Sequence, residues 1–226
     1  MIGTELLDNP AADPAAVRTQ LGDIARLNAW FGGTSAFVGA LRPFFREAPS
    51  GATWTVLDVG AGSGDILRAV AGAAARQGLS VRGVALELSR TAAPLARDRG
   101  LAAVVADGNA LPLAPGSVDV AIASQVLHHL PADIAIEWIR MLDAVACRAV
   151  VVADLRRSQL AMAALWVAAA PLGLDPSTRR DGITSLRRGY TVVELEHLLA
   201  RAGVPARAVY RPLARVVAAW RPACAR

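Results

Sequence analysis

The chain has 226 residues and a mass of 23.5 kDa, enough for one domain of ordinary single-core size with a helical addition. Hydrophobic residues make up 54% and charged residues 19%, which excludes a disordered or coiled-coil chain. All 24 basic residues are arginine, which excludes a Walker-type phosphate loop and a lysine Schiff base as those mechanisms are usually built.

The formal net charge of +5 is unevenly spread: residues 1–65 carry four Arg against seven acids, and residues 66–226 carry twenty against twelve. A basic half admits an RNA partner, but a lysine-free, alanine-rich chain fits a coding bias towards arginine, and no nucleic acid is expected. Cys147 and Cys224 are too few for a disulfide scaffold or a cysteine-built zinc site, and no metal site is expected. The stretch Met1 to Leu7 lacks a basic region followed by an apolar one, so the chain reads as soluble and cytoplasmic.

In chain order, residues 1–50 read as an N-terminal helical cap. Val17, Leu21, Ile24 and Ala25 fall near helical spacing, Gly32-Gly33 interrupts it, and Phe37, Leu41 and Phe44 resume it. Pro49-Ser50-Gly51 marks a boundary to a second unit over 51–226. There, short apolar runs at Trp54–Val59, Val81–Leu86, Ala102–Ala106, Val118–Ser124 and Ala149–Ala153 alternate with helical stretches at Ile66–Gln77, Thr91–Asp98 and Asp133–Val145. Strands and helices in alternation imply right-handed crossovers and a parallel sheet covered on both faces. The uncharged run Ser158 to Leu174, broken by Pro171 and Gly173, is marginal for a membrane span. It reads instead as a buried helix, a cavity wall or a homodimer contact. Thr191 and Glu194 form a capping-box pattern with Tyr190 and Leu195 at the staple positions, and Gly203 ends that helix. Val204–Tyr210 and Leu213–Ala219 supply the last strands. The fold class is α/β: a Rossmann-like, doubly wound, mostly parallel seven-stranded sheet with an antiparallel last strand.

The chemistry concentrates at four strand ends. Val56-Leu57-Asp58-Val59-Gly60-Ala61-Gly62-Ser63-Gly64 is a strand followed by three glycines at alternate positions, where a ligand can approach the backbone. The third glycine comes one residue too early for the dinucleotide pattern, which disfavours an NAD-dependent dehydrogenase. Glu87 closes the second strand 23 residues after Gly64, and its two oxygens can accept both hydroxyls of a ribose. Asp107-Gly108-Asn109-Ala110-Leu111-Pro112 follows the third strand, and Ser124-Gln125-Val126-Leu127-His128-His129 the fourth.

Over residues 54–155 these motifs resemble, in order and spacing, the core of class I S-adenosylmethionine-dependent methyltransferases, in the branch acting on quinones, phenols and sugars. The resemblance implies that Asp58, Gly60, Ala61, Gly62 and Gly64 surround the methionine moiety. It places Glu87 and Leu88 at the ribose, Asp107, Gly108 and Asn109 at the adenine, and Ser124 and Gln125 at the sulfonium. Some related O-methyltransferases pair a His of the Leu-His-His turn with an Asp at the end of strand five, and His128 (or His129) with Asp154 is similar. A phenol ionises near about pH 10 and a histidine near about 6.5, so a base at this position suits O-methylation.

A lid is expected over about 156–190. Bacterial relatives carry His-Asp where this chain has Arg180-Asp181, so no base is expected from that lid. Arg156 and Arg180 are candidates to bind an acceptor carboxylate, and Trp30, Phe31 and Trp166 to enclose an aromatic acceptor. The expected function is methyl transfer from S-adenosyl-L-methionine to a small hydroxylated metabolite, with S-adenosyl-L-homocysteine as product. The alternatives are an RNA-binding methyltransferase and a methyltransferase-fold protein that promotes a non-methylating step in natural-product biosynthesis.

Overall fold

The computed structural model describes residues 3–9 and 11–225; Met1, Ile2, Pro10 and Arg226 lie outside the described residues. Its strands are β1 (Thr53–Val59), β2 (Ser80–Glu87), β3 (Ala102–Val105), β4 (Val118–Ser124), β5 (Ala146–Leu155), β6 (Ala208–Arg211) and β7 (Arg215–Trp220). Its α-helices are α1 (Pro14–Trp30), α2 (Gly33–Arg46), α3 (Asp65–Ala75), α4 (Ala92–Asp98), α5 (Ala132–Val145), α6 (Gln159–Ala168), α7 (Pro176–Arg188) and α8 (Val192–Ala202). Short 3₁₀ turns occur at Leu6–Asp8, Leu127–His129 and Ala223–Ala225.

The sheet order is β3-β2-β1-β4-β5-β7-β6, and β7 runs antiparallel to both of its neighbours. The other strands therefore share one direction, and the order reverses between β1 and β4. In such sheets a crevice opens at that reversal, beyond the carboxyl ends of the strands.

Strand periodicity sends alternate side chains to opposite faces. Val56 packs with Phe37 of α2 and Ile66, Leu67 and Val70 of α3. Its neighbour Leu57 packs with Ile139 and Leu142 of α5 and Leu195 and Leu199 of α8. Because both faces are covered, strand interiors such as Val150–Val152 are continuously apolar. The final strands begin later than the sequence suggests. Pro205 has no N–H to give a ladder, and Leu213 and Ala214 adopt φ of +60° and +57° in the turn before β7.

The capping box at α8 forms as expected: Glu194 N donates to Thr191 Oγ1 at 3.2 Å, and Thr191 N donates to Glu194 Oε2 at 2.8 Å. Gly203 ends the helix at φ +81°. Thr191→Ala is expected to cost about 1 kcal/mol. That corresponds to a melting point lower by about 2–4 °C in a thermal unfolding experiment.

The run 158–174 corrects one expectation. It is not a buried helix: none of the residues of α6 is buried, and Leu160, Trp166 and Val167 are exposed. Both sheet faces are already taken by α2, α3, α5 and α8, so no sheet surface remains for it. Instead Ala161, Ala164, Leu165 and Ala168 line a cavity above the strand ends.

The helical cap and the 156–190 region are joined. Buried Asp23 of α1 accepts from Asp175 N and Thr178 Oγ1, both at 2.8 Å. Buried Asp181 of α7 accepts from Leu6 N at 2.7 Å and Gln20 Nε2 at 3.0 Å. Together these pieces form a roof over the crevice. No helix among the described residues is long and apolar enough to cross a membrane.

Candidate active site

The turn after β1 needs its glycines. Gly60, Gly62 and Gly64 have φ of +75°, +53° and +74°, which side chains rarely tolerate. A Cβ on Gly60 would also lie 2.9 Å from Val126 Cγ2, and one on Gly64 2.4 Å from Leu101 Cδ1. Arg99 Nη1 steadies the turn by donating to Ser63 O at 2.9 Å. Glu87 bridges it to β2, accepting from Gly62 N at 2.7 Å and Ser89 N at 2.9 Å. Each carboxylate oxygen retains lone-pair capacity for a ligand hydroxyl.

Asp58 is buried at the end of β1, and its Oδ1 has no hydrogen-bond partner among the described residues. Burial, and then the charges of Asp65 and Glu87, push its carboxyl well above the usual range. An orphaned carboxylate facing a cleft fits an ammonium group, which would supply both the charge and the missing donors.

On the other side of the cleft, Asp107 Oδ1 accepts from Asn109 N at 2.9 Å, and Asn109 Oδ1 accepts from Trp138 Nε1 at 2.8 Å. A Cβ on Gly108 would lie 2.3 Å from Trp138 Cζ2, so the indole of α5 fixes this loop from below. Nothing in the sequence marks Trp138, which reads as an ordinary apolar position of a helix. At the end of β4, Gln125 adopts φ +53° and its Nε2 donates to Asn28 Oδ1 at 2.7 Å.

These elements surround a cavity of about 1330 Å³. That exceeds the roughly 300–1,000 Å³ of a site for one small ligand, leaving room for a cofactor and an acceptor together. Asp58, Gly60, Ala61, Gly62, Glu87, Leu88, Asp107, Gly108, Asn109, Ser124 and Gln125 all line it. Gly64 does not; it sits behind the turn against Leu101 and Ala96.

His128 and Asp154 meet at the same cavity. His128 Nδ1 lies 2.6 Å from Asp154 Oδ1, His128 N donates to Oδ2 at 3.1 Å, and Leu155 N donates to Oδ1 at 2.7 Å. Burial raises the Asp154 pKa, but His128 and the Leu155 N–H outweigh it and hold the carboxyl below its ordinary value. An ionised Asp154 accepts a hydrogen bond from Nδ1–H of the imidazole, which leaves Nε2 as an acceptor. That Nε2 is buried and has no hydrogen-bond partner among the described residues. Tyr190 supports the turn from below, donating its hydroxyl to Leu127 O at 2.9 Å.

His129 turns elsewhere. Its Nδ1 lies 2.6 Å from Asp8 Oδ1. Burial lowers its pKa, but the Asp8 hydrogen bond and the charges of Glu5 and Asp154 outweigh that, and the net shift is upward. Glu5, which sequence reasoning missed, is buried beside both rings: its Oε1 is 4.0 Å from His128 Nε2 and its Oε2 3.8 Å from His129 Nε2. Glu5, His128 and His129 are close enough to share an ion. However, Arg188 Nη1 already lies 3.1 Å from Glu5 Oε1 and 3.0 Å from Asp8 Oδ2, placing a fixed cation against these carboxylates. No motif or periodicity in the sequence marks Glu5 or Asp8.

The residues expected to bind the acceptor divide. Phe31 and Arg156 line the cavity, and the Arg156 guanidinium stacks 4.3 Å from the centroid of the Tyr210 ring. Trp30, Trp166 and Arg180 are outside the lining. Trp30 is 56% exposed, and Trp166 is 60% exposed with Arg179 over its ring at 5.9 Å. Arg180 points to solvent and pairs with Asp181 at 3.2 Å. Helical geometry turns each of these side chains away from the roof's inner side.

Residues 57–147 match a family described as a methyltransferase domain. An uncharacterized methyltransferase of a Mycobacterium species (strain JLS) is 40% identical over 98 residues, covering 43% of this chain and 37% of that protein's length. Among solved structures, a SAM-dependent methyltransferase from Aquifex aeolicus superposes with a TM-score of 0.62 at 19% identity, covering 92% of this chain and 97% of its own. An O-methyltransferase from neocarzinostatin biosynthesis, in complex with S-adenosyl-L-homocysteine and 1,4-dihydroxy-2-naphthoic acid, superposes with a TM-score of 0.62 at 21% identity. It covers 96% of this chain and 61% of its own. The chain has the fold of class I S-adenosylmethionine-dependent methyltransferases, and its residues 57–147 match the methyltransferase domain family.

Proposed function

We propose that this protein transfers a methyl group from S-adenosylmethionine to a hydroxyl of a small aromatic or lipid-like acceptor. In this reading His128 is the proton acceptor and Asp154 its orienting partner. The observation that carries it is the buried Nε2 of His128, which has no hydrogen-bond partner among the described residues and lies 4.0 Å from Glu5 Oε1, on a residue lining the same cavity as the glycine turn and Asp58. Asp58 would take the ammonium of the cofactor, Glu87 its ribose hydroxyls, and the Asp107–Asn109 loop its base. When bound, S-adenosylmethionine supplies an electrophilic methyl group.

The chain's own residues do the rest. The roof excludes water, the strand-end residues hold the reactants in line, and His128 Nε2 takes the acceptor's hydroxyl proton while Asp154 stabilises the resulting imidazolium. The O-methyltransferase with a bound dihydroxynaphthoic acid supports a phenolic acceptor. The test is parallel calorimetric titration with S-adenosylmethionine, S-adenosylhomocysteine and NAD, followed by a screen of phenols and quinols for S-adenosylhomocysteine release. Binding of the first two, no binding of NAD, and release in step with acceptor consumption are expected. Binding of NAD alone, or product without S-adenosylhomocysteine, would overturn the reading.

A further inference from the structure

Arg215 opens β7 opposite Leu155 of β5 and is only 5% exposed. Its guanidinium carries five N–H donors in a fixed fork. Among the described residues it forms no ion pair within 4.0 Å, and its Nε has no hydrogen-bond partner. Its guanidinium makes a long hydrogen bond, from Nη2 to Asn28 Oδ1 at 3.5 Å, and that oxygen already accepts from Gln125 Nε2 at 2.7 Å. Asp154 contributes a charge, but no ion pair within 4.0 Å joins it to Arg215, and its oxygens accept from His128 and the Leu155 N–H. Burial lowers the Arg215 pKa to about 10, which still leaves the group protonated at neutral pH.

A buried guanidinium without an anion is costly, and removing such a charge from a protein interior often stabilises the fold. Packing alone therefore does not account for it. Arg215 lines the cavity alongside Asn28, Gln125, Leu155 and Ala214. The planar fork matches a carboxylate in two-point contact. We propose that Arg215 is a carboxylate-binding residue whose missing anion arrives with a ligand. This rests on the reading that the cavity takes S-adenosylmethionine and a small acceptor. The carboxylate belongs either to the amino-acid end of the cofactor or to an acidic acceptor, and in the second case the substrate class is a hydroxylated aromatic acid.

Two ligand pairs separate the sources. S-adenosylhomocysteine and 5′-methylthioadenosine differ by the amino-acid end. 1-Hydroxy-2-naphthoic acid and 1-naphthol, each titrated with and without saturating S-adenosylhomocysteine, differ by the aromatic carboxylate. Binding is measured by calorimetry on the full chain, as wild type, Arg215→Leu and Arg215→Lys. Arg215→Leu is expected to weaken the carboxylate-bearing member of one pair by about 10–100-fold, the range for a hydrogen bond to a charged group, while its carboxylate-free partner changes less than twofold. Arg215→Lys should recover part of the loss, and Arg215→Leu should melt no lower than wild type. Loss confined to S-adenosylhomocysteine assigns the cofactor's carboxylate; loss confined to the naphthoic acid assigns an acidic acceptor. Equal loss within both pairs with a lower melting point, or no loss in either, would overturn the proposal. If wild type binds no adenosyl ligand, the functional reading itself fails, and the naphthalene pair without cofactor still reads Arg215.

Discussion

His128→Ala is expected to reduce methyl transfer to a phenolic acceptor by about 100- to 10,000-fold, the usual worth of a positioned general base. Affinity for S-adenosylhomocysteine should stay within about twofold, because the residues expected to hold it are carried by the ends of β1, β2, β3 and β4 (Asp58, Glu87, Asp107, Ser124). Single-turnover release of S-adenosylhomocysteine separates the chemical step from product release. Asp154→Asn should lose activity of similar order, since an amide cannot stabilise the imidazolium and can favour the wrong tautomer at Nδ1. His129→Ala is the informative comparison. Its ring is held by Asp8 and not by Asp154, so a smaller loss is expected. An active His128→Ala variant with ordinary single-turnover rates would remove the base from the proposed mechanism.

Gly62→Arg is expected to weaken S-adenosylhomocysteine binding by at least about 100-fold, measured by calorimetry. Two effects combine. Gly62 has φ +53°, so any side chain there costs about 1–3 kcal/mol of backbone strain. A Cβ would also come 3.2 Å from Leu21 Cδ2, and a guanidinium at this place would fall beside the Glu87 carboxylate that Gly62 N already contacts at 2.7 Å. The new cation would then occupy the acceptor oxygens meant for ribose hydroxyls. Retained affinity in this variant would mean that the adenosyl group does not lie along the glycine turn.

The sheet was legible because both its faces are buried. Continuous apolar runs such as Val118–Ser124, separated by glycine turns and amphipathic helices, have few other solutions, and chirality fixes the crossovers. The strand-end residues followed from that, since a parallel sheet brings the ends of β1, β2, β3 and β4 to one edge whatever lies between them. His128 and Asp154 were legible on the same ground, and the 2.6 Å contact between them lies at that edge. The roof was not. Glu5, Asp8, Asp23 and Asp181 act through partners more than 100 residues away, and an isolated acid carries no periodicity that announces such a partner. For the same reason an uncharged run suggested burial at 158–174, where an exposed helix with one alanine-rich inner side is found. Trp30 and Trp166 show the limit of reading aromatics as pocket walls: residue type gives affinity for apolar surroundings, but the helix phase decides which way the ring turns. Arg215 is one of the twenty arginines of residues 66–226, and its burial sets it apart.

Besides its contacts with the sheet layer, at Asn28–Gln125, Asn28–Asp65 and Val17–Ala92, the roof is held by acids that tie residues 6–23 to α7. Leu6 and Gln20 share the Asp181 carboxylate, while Asp23 grips the start of α7. In the proposed reaction, spent cofactor would leave past two segments, residues 6–23 and α7, that these hydrogen bonds hold together. Segments of this kind commonly open on microsecond-to-millisecond timescales and often set the ceiling on turnover in well-evolved enzymes. Evolution could thus tune throughput at Asp23 and Asp181 without touching a single group that meets the reacting atoms.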